Sequence, residues 1–253
     1  MALLNRALMT LGLGSCEVDT LLEKEQFLPG ERVSAWVKIQ GGKVGQKVRG
    51  VYFSLHCSYE QMEEGQMQQQ QVELAHFQLP LSLTVDAGEQ VKVPIEFVLP
   101  EFTPLTLGKT KVWLATGLDI KQAIDPKDND YFDVLPSPLV ASLFERLKEI
   151  GFDQSWVHTE AISVTAKVHT PYLQMFHYKP KQGEFFDRIE ELELALVPTA
   201  TGICLHTEVT RTGRGMAAAV SRIMADGGER QKALLTPELV EQLPDRLREL
   251  IVD

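Results

Sequence analysis

Five aspartates, Asp119, Asp125, Asp128, Asp130 and Asp133, crowd one short stretch of the chain. Carboxylates at that density can do two kinds of chemistry: hold a cation through oxygen ligands, or act as opposed acid and base in a hydrolysis. A calcium loop of the EF-hand kind needs oxygens at fixed offsets, a glycine at the sharp turn and a closing glutamate. Asp128, Asp130 and Asp133 do not keep that spacing, and neither the glycine nor the glutamate follows, so no metal site is expected there. Hydrolysis by a carboxylate pair needs the two groups facing each other across a cleft, roughly 5–10 Å apart. Spacing along a chain does not settle that, so a carboxylate-based hydrolase on a β-sandwich stands as an alternative function.

The other reactive side chains give no pattern that points to catalysis. The histidines are His56, His76, His158, His169, His177 and His206, and none sits in an HExxH or GxSxG setting. Most fall in alternating segments, where a sheet-facing or exposed imidazole is expected. Cys16, Cys57 and Cys204 form no CxxC and leave an odd count, which suits small buried hydrophobes in a reducing compartment. Gly12-Leu13-Gly14 precedes a strand instead of opening a helix after one, so it is no dinucleotide fingerprint. Trp36, Trp113 and Trp156 are expected in the core or between domains. No catalytic residue, metal or cofactor is expected.

A chain of 253 residues, 44% hydrophobic and 24% charged, is long enough to bury one large core or two smaller ones. Its net charge of -10 argues against a general nucleic-acid binder, which carries a basic face. No apolar run approaches the roughly 20 residues that span a bilayer. The first 13 residues carry only Arg6 and lack a cleavage site, so they make a poor secretory signal, and a cytoplasmic setting is expected. Leu3, Leu4, Ala7, Leu8 and Leu11 instead fall at helical spacing. A short packed helix is the plain expectation, and membrane-surface contact, as in a peripheral trafficking-type adaptor, is the alternative.

The elements that must position these residues are mostly strands. From residue 15 to 99, alternating segments are broken by turn signals. Pro29-Gly30 fits the centre of a type II turn. Val33, Ala35, Val37 and Ile39 form an apolar face, and Gly41-Gly42 closes it. Strands over 48–59 and 71–79 are joined by the Gln- and Met-rich residues 60–70, expected as a solvated hairpin end. Pro94 inside an apolar alternation marks an edge strand or a bulge. Residues 109–134 open with a strand, pass through a polar segment turned at Pro126, and end in a second short strand from Tyr131 to Val134. That stretch is the expected joint between two β-domains.

Residues 137–150 make the clearest helix, capped by Ser137 with Pro138 in its first turn. Its stripe of Leu139, Val140, Leu143, Phe144, Leu147 and Ile150 is expected to cement the joint. Strands follow over 156–169, 172–178, 189–197 and 202–211, with Glu190, Glu191 and Glu193 reading as a solvated face. Residues 216–224 are Ala-rich and suit a short helix. Thr236-Pro237 caps a tail helix that Pro244 splits or kinks.

The order of these pieces resembles a known family. Val18-Asp19-Thr20, Pro29-Gly30-Glu31, Val37-Lys38-Ile39, Lys111-Val112-Trp113, Thr116-Gly117-Leu118-Asp119-Ile120, Asp125-Pro126, Asp130-Tyr131, Pro171-Tyr172, Gln174 and Leu192-Glu193-Leu194 look like the bacterial sporulation-control (stage-zero M) proteins. The resemblance runs from about Gly12 to Arg214; Ala35 stands where the family has Gly, and the tail is helical where a final strand is expected. It implies an all-β protein of two arrestin-like antiparallel β-sandwich domains in tandem. The divisions would be an N-terminal helix at 1–13, a first sandwich at 14–135, a linking helix at 136–152, and a second sandwich with helical tail at 153–253. It also implies a non-enzymatic cytoplasmic regulatory scaffold that binds other proteins, signalling or cytoskeletal, with a homodimer left open. By analogy with arrestin-like proteins, Asp119 or Asp133 would meet Arg211 or Arg214 between the domains, and such a pair is costly to break one-sidedly.

Overall fold

A computed structural model of the chain describes residues 15–64, 66–120, 127–162, 171–211 and 232–252. The expected N-terminal helix, the turn at Pro126, strand residues 163–169, Arg214 and the Ala-rich 216–224 lie outside the described residues. The chain divides into two units. The first comprises Met1–Cys57, Gln71–Thr103 and Lys111–Leu135; the second comprises Ser58–Gln70, Pro104–Thr110 and Pro136–Asp253.

In the first unit, β1 (Glu17–Leu22), β3 (Arg32–Gln40) and β6 (Gln90–Val98) pair antiparallel in the order β1-β3-β6. The period-two alternation holds along β3: Val33, Ala35, Val37 and Ile39 are all buried. Pro94 lies on β6, an edge strand with one neighbour, where its missing N–H costs no ladder bond. The facing layer contains β4 (Gln46–Glu63), β7 (Val112–Ile120), β8 (Lys127–Val134) and the short β2 (Gln26–Phe27), with β5 (Gln66–Val85) also paired to β4. Rings of Phe53, Phe77 and Phe97 pack with centroids 5.0–5.6 Å apart and join the layers. The turn before β3 is the expected type II turn: Glu31 N–H donates to the Leu28 carbonyl at 3.1 Å, and Gly30 has φ +79°. Tyr52 lies across Gly117, where any side chain would strike its ring.

The Gln-rich segment departs from expectation. β4 runs to Glu63 and β5 starts at Gln66, so the solvated hairpin end shrinks to a tight turn with Glu64 at φ +50°. A ladder needs only backbone donors and acceptors, and Gln and Met side chains such as those of Met62 and Met67 stay in solvent without breaking it.

In the second unit, β9 (Phe152–Ala161), β10 (Tyr172–Pro180), β11 (Ile189–Thr199), β12 (Gly202–Arg211) and β13 (Lys232–Leu234) pair antiparallel, each with the next. The end of β4 adds one parallel bridge, Glu60 to Glu160. The three-residue β13 is too short to leave an alternation in the sequence. Helix α1 (Pro138–Glu149) starts as expected, with Ser137 Oγ accepting from Val140 N–H. It buries Val140, Leu143 and Leu147, and its Phe144 ring lies 5.2 Å from Phe176 of β10. Its stripe is thus spent on the second unit's own sheet. The tail forms α2 (Pro237–Glu241), capped by Thr236, and α3 (Leu243–Val252), split at Gln242 as Pro244 requires.

Gln174 ties residues 104–110 to β10. Its Oε1 accepts from Leu105 N–H at 2.9 Å, and its Nε2 donates to the Leu105 carbonyl at 2.7 Å, both buried. Gln174→Leu leaves the buried Leu105 N–H without its partner, while the Leu105 carbonyl keeps only the Leu107 N–H at 2.8 Å. We expect it to cost about 1–3 kcal/mol in chemical denaturation, with no change in the circular-dichroism spectrum of the native state.

Candidate functional site

The aspartates of β7 and β8 have partners inside the first unit. Asp119 Oδ1 accepts from Arg49, whose Nε lies 3.1 Å away. Asp133 is exposed, and its N–H donates to the Glu25 carbonyl at 2.8 Å. In the second unit, Arg211 Nη2 donates to the Leu250 carbonyl at 3.1 Å. Arg214, the fourth of the predicted polar contacts, lies outside the described residues. The structure therefore gives Asp119 and Arg211 each a partner close by in their own units.

Asp128 and Asp130 share one face of β8. Asp128 accepts from Thr20 N–H at 2.8 Å and from Asn129 N–H at 2.9 Å. Asp130 is driven up to about 7 by burial first, then by the charge of Asp128 and of Asp19 on β1. Asp19 in turn pairs with Lys38 at 3.8 Å.

A second group of polar side chains lies within the second unit, on strands β9 to β12. The register sets His177 opposite Trp156 on β9 and opposite Glu193 on β11, and Glu193 opposite Glu208 on β12. Because alternate residues share a face, Trp156, His158 and Glu160 line up beside Leu173, Met175 and His177. Glu191, which lies past a bulge, and Glu193 follow on β11, then His206 and Glu208 on β12. His177 is 4% exposed and Glu191 5%, although Trp156 is 50% exposed. The Trp156 ring stacks on His158 at 4.1 Å and on His177 at 4.2 Å. His158 Nε2 lies 3.1 Å from Glu160 Oε2. Burial, followed by the nearby His158 and Lys179, pushes the His177 imidazole down to about 4. Burial, followed by Lys232, does the same to His206. Both imidazoles are neutral at pH 7 and can offer a lone pair.

The histidines and glutamates were visible in the sequence only one at a time. Glu191 and Glu193 read as a solvated face and are in fact buried or nearly so. Leu192 and Leu194 face the helix side with Phe176 and Tyr178, and the glutamates are carried to the other face, which is also covered. Trp36 and Trp156 correct the expectation of core residues: they are 45% and 50% exposed, and of the three tryptophans only Trp113 is buried. The cysteines meet theirs in part, since Cys16 and Cys57 are buried and Cys204 is partly exposed; none is in a disulfide.

The fold and its two polar groups define an all-β protein of two antiparallel units with short helices, of the arrestin-like kind. The family profile described as SpoOM protein matches residues 4–213, and the chain belongs to that family. The sporulation-control protein spo0M of Bacillus subtilis (strain 168) is 28% identical over 254 residues, covering 99% of this chain and 98% of that protein. The crystal structure of Spo0M, sporulation control protein, from Bacillus subtilis matches with a TM-score of 0.79 at 26% identity, over 95% of this chain and 99% of that one. Among the described residues no helix is long and apolar enough to cross a membrane.

Asp130 makes stability depend on pH. Its carboxyl holds a proton more tightly in the folded chain than in the unfolded one, so folding favours the protonated form. The stabilisation is complete below about pH 4 and is lost as pH rises through about 7. Asp130→Asn should remove that slope and stabilise the protein at pH 8 by about 1–2 kcal/mol, discounted for partial exposure. Thermal melts of both proteins at pH 5 and pH 8 test this: the variant should gain more over the wild type at pH 8 than at pH 5.

Proposed function

We propose that this protein is a non-enzymatic regulator of sporulation or a related developmental programme, acting in the cytoplasm by binding other proteins. The end-to-end match to the sporulation-control protein spo0M carries this reading, because it spans both units rather than one borrowed domain.

The outward face of the three-stranded sheet supports the binding mode. Leu21 on β1 lies opposite Trp36 on β3, and Trp36 lies opposite Pro94 on β6. This puts an apolar stripe across three strands, with Leu21 and Trp36 well exposed. Around it stand Asp19, Arg32, Lys38 and Glu96, paired as Arg32–Glu96 at 3.2 Å and Lys38–Asp19 at 3.8 Å. An exposed tryptophan with apolar neighbours and a charged rim is the composition of a binding hot spot. The rim charges supply orientation and selectivity.

Affinity capture from the native host, comparing wild type with Trp36→Ala, tests the proposal. The wild type should enrich a reproducible set of proteins, and the variant, unchanged in circular dichroism, should lose at least part of that set about tenfold or more. Capture of nothing above background by the wild type would contradict it. A set retained in full by the variant would move the binding surface elsewhere on the protein.

A further inference from the structure

Among the described residues, one trio of ligating side chains converges: His177, Glu191 and Glu193, whose nearest ligand atoms all lie within 4.8 Å of one another. His177 Nδ1 stands 3.4 Å from Glu191 Oε1 and 3.4 Å from Glu193 Oε1. A charge-assisted N–H···O bond closes to about 2.7–2.9 Å, so neither contact is one. His177 is more than nine-tenths buried, and neither ring nitrogen has a hydrogen-bond partner. A buried imidazole left without a partner beside two carboxylates is a group whose partner must be accounted for.

The separations fit a different occupant. A tetrahedral ion with bonds of about 2.0–2.2 Å sets its ligand atoms roughly 3.3–3.6 Å apart. The His177–Glu191 and His177–Glu193 separations match two edges of that tetrahedron. The scaffold is also that of a site. Two of the ligands come from one strand and the third from its directly paired neighbour, and the Trp156 ring stacked on His177 fixes the imidazole plane. Glu193 is partly exposed, which gives an ion a way in.

We propose that His177, Glu191 and Glu193 bind one first-row divalent transition-metal ion, with zinc as the reference ion. Imidazole nitrogen with two carboxylates suits such ions, whereas calcium and magnesium take oxygen ligands in larger number or keep their waters. Three protein ligands leave a fourth position for water or for a donor from outside the chain. The site stands independently of the protein-binding surface on the other unit.

The test uses the full chain, stripped with chelator and dialysed into metal-free buffer. Isothermal titration with zinc chloride, and in parallel manganese, magnesium and calcium chlorides, gives affinity and stoichiometry. Differential scanning calorimetry reads the melting temperature with and without zinc. The expected result is one zinc per chain at micromolar affinity or tighter, a rise in melting temperature with zinc, and weaker binding of magnesium and calcium. Glu193→Gln, an isosteric change at the partly exposed ligand, should weaken zinc at least tenfold while the zinc-free melting curve stays cooperative. His177→Gln should do the same, and if it fails to fold, Glu193→Gln and the wild-type zinc shift still decide the matter. Zinc and manganese binding no tighter than about millimolar, equal affinity for magnesium, or unchanged zinc binding in Glu193→Gln would each overturn the proposal.

Discussion

Backbone register in the second unit is the constraint on which its polar face depends. Side chains on a strand alternate between faces, so a slip of one residue moves an entire set from one side to the other. The pairing of β10 with β11 sets Phe176 and Tyr178 against Leu194 and Leu192 on one face, and His177 against Glu193 on the other. Helix α1 lays Phe144 over the first of these faces and holds it there by burial. The imidazoles and carboxylates on the second face are then where they are because the apolar side of each strand has only one place to go. The register from Glu191 to Glu193 is unbroken, so alternation sets both on that face, and the bulge between Ile189 and Glu191 lies before them.

The first unit depends on the same rule, with a different result. Its inner face is apolar, from Val33, Val37 and Ile39 on β3 to Leu55 on β4 and Leu114 on β7. Its polar residues work in pairs, as Arg49 with Asp119 at the surface and Thr20 with Thr116, buried, at 2.8 Å. Asp130 is the exception, a carboxyl kept near two others by the folding of β1 and β8, and its proton is the consequence. The outer face of the three-stranded sheet carries Trp36, Leu21 and Pro94 without any need of the core. One unit therefore offers an apolar stripe, and the other encloses an imidazole with two carboxylates.

Much of the fold was legible because it follows from local rules. The turn at Pro29-Gly30, the edge position of Pro94, the cap at Ser137 and the split before Pro244 each rest on a single residue's backbone geometry, and each is found in the structure. The site was not legible because it belongs to pairing. His177 and Glu193 are close in sequence but meet only through the β10–β11 ladder, and His158 reaches them from a third strand. Nothing in a period-two pattern distinguishes a solvated glutamate from one on a second covered face such as Glu191. The exposure of Trp36 and Trp156 has the converse reason: large apolar side chains are expected inside, and one left outside on a sheet shows only when the sheet is assembled.

The most direct test of this account is the register itself, measured in solution by nuclear Overhauser contacts between α-protons of facing strands. In an antiparallel pair, alternate partners bring their α-carbons to about 4.5 Å and their α-protons into strong contact. The account predicts such contacts in one alternating set of the pairs Met175–Ala195, Phe176–Leu194, His177–Glu193 and Tyr178–Leu192. Contacts offset by one residue, His177 to Leu192 or to Leu194, would turn the glutamates to the opposite face and contradict it.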